Sequence, residues 1–145
     1  MMTLGPFNVA NDGTLSPRAP GIRPVVRYTW RGRACAAELT QAGLRMTALA
    51  GRIPSTVELH ADRRAVVSAL TRLRDELPPG LSLHLLPDHR LLLRRHGQRR
   101  SPGTPLAALA LVTEMVCFAL ALDPYLDQLE EAGAGAVRQF EMMRG

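Results

Sequence analysis

Lysine is absent from this chain: all eighteen of its basic side chains are arginine. Two causes leave that mark, the codon bias of a GC-rich genome and a selected use of the planar guanidinium, and composition does not separate them. Cysteine is scarce too. Cys35 and Cys117 each sit in an apolar segment without metal-ligand spacing. That usage reads as small buried hydrophobes in a reducing compartment and excludes a disulfide framework. Residues 1–20 lack a basic segment followed by an apolar run, so no secretory signal is read there. There is no Gly-x-Ser-x-Gly elbow and no glycine-rich phosphate loop. The longest apolar run, Leu106 to Leu122, is interrupted by Thr113 and Glu114. At the short limit for a bilayer, with a carboxylate near its centre, it reads as a core helix and not as a membrane span. These absences predict a cytoplasmic, non-enzymatic protein with no cofactor and no metal.

What is present fits one domain. The chain has 145 residues, 46% of them apolar, enough to enclose a core. Its net charge of +5 is unevenly placed. Residues 1–57 carry seven Arg against Asp12 and Glu38, a net of +5, and residues 58–105 carry nine Arg against five acids, a net of +4. Residues 106–145 carry two Arg against six acids, a net of −4. A basic body with an acidic final third can pair with itself, within the chain or between subunits, or offer a basic face to an acidic partner.

Residues 1–24 hold Gly5, Pro6, Asn11, Asp12, Gly13, Pro17, Pro20, Gly21 and Pro24, a density of breakers that predicts a flexible arm outside the core. Residues 25–133 are expected to form a single α+β domain and residues 134–145 a C-terminal tail. Val25 to Arg31 alternates as a strand, with Val26, Tyr28 and Trp30 on one face. Gly32 marks a tight turn, alternation resumes through Cys35, Ala37 and Leu39, and Ala42-Gly43 turns again. Leu44, Met46, Ala48 and Ala50 then share a face, completing an antiparallel meander with one wet side. Residues 55–61 satisfy both a strand alternation and the capping-box spacing Ser55 to Glu58.

Asp62 is the expected cap of a helix whose stripe is Val66, Leu70, Leu73 and Leu77, ended by Pro78-Pro79-Gly80. Leu81 to Leu86 and Arg90 to Arg95 flank Pro87-Asp88-His89 as a hairpin. Thr104-Pro105 gives an N-cap and a first-turn proline to a long apolar helix, with a kink or break expected at Asp123-Pro124. The fold class is therefore α+β: a twisted antiparallel sheet, meander plus hairpin, packed by an amphipathic helix and a long C-terminal apolar helix.

Three constellations bear on chemistry. His84, Asp88, His89 and His96 fall near one hairpin, but His84 and His89 lie on different legs with opposite parity, against a metal site. Asp123, Asp127, Glu130 and Glu131 read as a solvated helix face. Arg90, Arg94, Arg95, Arg99 and Arg100 form a basic patch able to meet phosphates, though no aromatics for base stacking lie nearby.

The ordered pattern resembles the class I type III secretion chaperone family. The resemblance rests on the strand ending Leu49-Ala50-Gly51-Arg52-Ile53-Pro54, the helix Asp62 to Leu77, the hairpin Leu81 to Leu93 and the helix Pro105 to Glu131. A related bacterial regulator-like domain shares that fold. Members dimerise and hold the unfolded N-terminal region of a secreted effector along hydrophobic grooves. This chain departs from them in opening on a Pro/Gly-rich arm and in being basic. The resemblance implies a homodimeric chaperone that binds an extended segment of a partner protein. Val26, Tyr28, Trp30, Leu44 and Met46 are the candidate partner contacts, with Trp30 readable as core or as contact. Leu109, Val112, Val116 and Leu120 are the candidate dimer interface. The alternative is a nucleic-acid-binding or regulatory module using the Arg-rich hairpin.

Overall fold

The structure, a computed structural model, describes residues 2–19, 21, 23–40, 43–53, 63–96 and 106–134. The element order is β1 (Met2–Leu4), β2 (Phe7–Val9), β3 (Thr14–Pro17), β4 (Val25–Trp30), β5 (Arg33–Thr40), β6 (Gly43–Arg52), α1 (Arg63–Glu76), β7 (Leu81–Leu85), β8 (Arg90–His96), β9 (Leu106–Ala107) and α2 (Ala108–Glu131). The α+β class read from the sequence holds. Meander and hairpin form one five-stranded antiparallel sheet, ordered β4-β5-β6-β8-β7.

Alternation puts Val26, Tyr28 and Trp30 of β4 on the same face as Arg33, Cys35, Ala37, Met46, Ala48, Leu91 and Leu93. This inner face is buried, and the stripes of α1 and α2 join its core cluster through Val66, Leu73, Leu111, Phe118, Leu122, Leu126 and Leu129. The α1 stripe is the one the spacing predicts, and the helix ends just before Pro78-Pro79-Gly80. Asp62, residues 55–61 and Thr104-Pro105 lie outside the described residues.

The N-terminal expectation fails. Residues 2–17 form three short strands that continue into β9 as a second antiparallel sheet, β1-β2-β3-β9. Phe7, Leu15 and Leu106 are buried in the same core as the large sheet. The turn residues Gly5 and Gly13, at φ 54° and 87°, separate strands and do not dissolve them. Breaker density marked the turns of tight hairpins, and the short apolar segments between them found partners only in tertiary contact.

The C-terminal helix differs in two places. It begins at Ala108, because Leu106–Ala107 pairs with β3, and the carbonyl of Gly13 accepts the Ala108 N–H at 2.7 Å. It also runs without a break through Pro124. Asp123 does not cap a new helix: its carboxylate turns to the β4–β5 hairpin and accepts the Trp30 indole N–H at 2.8 Å. At the tail, Ala134 is buried and its carbonyl accepts the Arg52 N–H at 2.7 Å.

Candidate functional site

The densest polar cluster joins the β4–β5 hairpin to α2. Arg31 and Gly32 form its two-residue turn, both left-handed at φ 53° and 78°, as the twist of a tight hairpin requires. Asp123, Asp127 and Glu130, one helical face of α2, receive the Arg31 guanidinium at 3.4, 2.7 and 3.3 Å. Arg33 is only 1% exposed and donates to the carbonyls of Ala50 and Arg31 and to the Glu130 carboxylate, at 3.0, 2.9 and 2.8 Å. The acids expected as a solvated face are thus partly a docking comb. The basic body and acidic final third pair within the chain. Every member of this cluster has a structural partner, so it locks the fold.

The partner-contact candidates divide. Leu44 and Met46, 6% and 0% exposed, are core residues and are closed to a partner. Period-2 alternation identified an apolar face correctly but could not say that helices cover it. Val26, Tyr28 and Trp30 are half-buried on the edge strand β4 and pack against that core. Trp30 is tied to α2 through Asp123. Burial raises the Tyr28 phenol above its ordinary range and pushes the Cys35 thiol up to about 11, which removes it from thiolate chemistry.

The four dimer-interface candidates fall together on the solvent side of α2. Leu109, Val112, Val116 and Leu120 are 78%, 43%, 51% and 56% exposed. Their spacing of three, four and four makes one stripe about 16 Å long at the helical rise. Cys117 is exposed as well. By length and composition alone α2 could cross a membrane, yet its other face is core in this fold.

The basic-patch candidates do not converge. Strand alternation places Arg90 and Arg94 on one face of β8 and Arg95 on the other. Arg90 is paired with Asp88 in the adjoining turn. Arg99 and Arg100 lie outside the described residues.

The register reveals what the sequence reading missed, the outer face of the large sheet. One row across all five strands reads Arg27, Ala36, Thr47, Arg94, Ser82. The neighbouring row sets Thr29 beside Ala34 and Leu49 beside Leu92 and His84. The small side chains leave an open, largely apolar groove of about 430 Å³ lined by Thr29, Ala34, Ala36, Thr47, Leu49 and Leu92. Ser82 Oγ and His84 Nε2 lie 2.8 Å apart, and burial, with Arg94 and Arg74 behind it, lowers the His84 pKa. The polar atom hydrogen-bonded to that imidazole is the serine hydroxyl. Among the described residues no carboxylate orients it as a hydrolytic triad would require. Between α1 and α2 lies a second groove of about 450 Å³, whose lining carries Arg72, Glu76 and Glu131 over alanines. Its mixed charge favours no ligand sign.

No known protein family, curated protein or solved structure matches this chain.

Proposed function

We propose that this chain is a non-enzymatic, homodimeric protein-binding module of the secretion-chaperone type, holding an extended segment of a partner protein in the cytoplasm. The observation that carries the reading is the stripe Leu109, Val112, Val116 and Leu120, more than two-fifths exposed at every position. Burying apolar surface yields about 25 cal/mol per Å². A monomer forgoes that gain along its longest helix, whereas two stripes packed about a two-fold axis each cover the other. The order of meander, helix, hairpin and long helix supports the chaperone-type reading, because the family resemblance rests on that order. The groove on the outer face of the large sheet is open and largely apolar, which suits an extended segment laid along it.

Light scattering tests the dimer. The wild type should run as a dimer at tens of micromolar, the concentration range of ordinary subunit association. Val116→Glu places a charge in the stripe without touching the core and should give a monomer with unchanged circular dichroism. A wild-type monomer at that concentration overturns the proposal.

A further inference from the structure

We infer that the outer face of the five-stranded sheet is a docking site for a partner segment in which acidic and apolar residues alternate. The inference rests on the protein-binding reading above and names the chemistry of the partner. Charge selects the occupant. Of the outer-face cations, Arg45 is neutralised by Glu38 at 2.6 Å and Arg90 by Asp88. Arg27 and Arg94 have neither an ion pair nor a side-chain hydrogen bond among the described residues. The Nε of Arg94 is buried without a partner, a donor whose desolvation nothing in the fold offsets. His84, drawn toward its neutral form, adds no acid to balance them.

Geometry sets the pattern. Arg27 and Arg94 stand in one row with only Ala36 and Thr47 between them. At the usual spacing of strands their backbones are about 14 Å apart, the span of about four extended residues. The apolar row runs alongside, through Ala34, Leu49 and Leu92. An extended segment laid between the rows projects successive side chains to opposite sides. One set meets the guanidinium groups and the other meets the groove. Alternating Glu and aliphatic residues meet both demands, with carboxylates accepting charge-assisted hydrogen bonds from the guanidinium groups of Arg27 and Arg94.

Fluorescence anisotropy with three labelled synthetic peptides tests this on the full chain. One alternates Glu with Leu or Val, one replaces each Glu by Lys, and one keeps Glu but replaces the aliphatic residues by Ser. The first should bind at least about tenfold more tightly than either of the others. Arg27→Glu lies on an exposed side chain, and alone it should weaken the first peptide severalfold with an unchanged melting curve. The double variant R27E/R94E should favour the Lys peptide over the Glu peptide. Equal binding of the Glu and Lys peptides by the wild type overturns the proposal. So does binding of the Glu/Ser peptide as tight as that of the first, which would be plain ion exchange. Displacement of the first peptide by a short single-stranded oligonucleotide at lower concentration would assign the face to phosphate and also overturn it. The two readings fail separately: Val116→Glu should lose the dimer and keep the peptide preference, because the two surfaces lie on different elements.

Discussion

Arg33 concentrates the residue-scale physics of this fold. A guanidinium almost wholly removed from water is tolerated because three of its N–H directions meet the Ala50 and Arg31 carbonyls and the Glu130 carboxylate. Lysine, a point charge on a flexible stem, could not fork among three acceptors on a strand, a turn and a helix. At this position, therefore, the arginine-only composition has a structural consequence whatever its origin. Replacing Arg33 by Leu leaves the Ala50 and Arg31 carbonyls without that donor and takes one partner from Glu130, which keeps Arg31. The loss should be about 2–3 kcal/mol, read as a shift of the urea midpoint with an unchanged slope. A shift near zero would mean that water already serves those acceptors.

At the scale of elements, α2 carries three jobs on two faces, the acids of its C-terminal half continuing the line of the exposed apolar stripe. Leu111, Phe118, Leu122, Leu126 and Leu129 enter the core. Asp123, Asp127 and Glu130 hold the β4–β5 hairpin. Leu109, Val112, Val116 and Leu120 face solvent. Pro124 interrupts the hydrogen-bond ladder inside the helix, leaving the Leu120 carbonyl without its donor. Leu120 is 56% exposed, so water can satisfy that carbonyl, and the packing on either side holds the helix together. An interior proline costs up to about 3 kcal/mol relative to alanine. Pro124→Ala should therefore raise stability by about 1–2 kcal/mol in urea unfolding. A fall would show that the proline positions Asp123 against Trp30 and Arg31.

On the scale of the whole molecule, two sheets share one core. The small N-terminal sheet contributes Phe7 and Leu15, and it closes the start of α2 through the Gly13 carbonyl. Phe7, at 1% exposure, serves as the discriminating site. Phe7→Ala should cost about 3–4 kcal/mol, as truncation of a buried aromatic does, and should lower the melting temperature markedly. A solvated arm would give no change. The outcome bears on function as well, since the same strands adjoin the end of α2 that carries Leu109, the most exposed residue of the proposed dimer stripe.

Sequence periodicity by itself determined the elements whose signals are local. The alternation of Val26, Tyr28 and Trp30, the α1 stripe from Val66 to Leu77 and the Pro87-Asp88-His89 turn all reappear where they were expected. The α2 stripe was legible too, because no single small sheet can cover every side of so apolar a helix. What only the tertiary structure decided was which faces meet. Leu44 and Met46 became core and not contact, since alternation marks an apolar side without saying what lies against it. Strands of three or four residues at the N-terminus are too short to carry a period, so only their pairing with one another and with β9 reveals them. The salt bridges from Arg31 and Arg33 to α2 join residues more than ninety positions apart. The row from Arg27 to Arg94 crosses four strands. Separations of that kind leave no mark in local pattern, because sequence order fixes neighbours along the chain while strand register fixes neighbours across it.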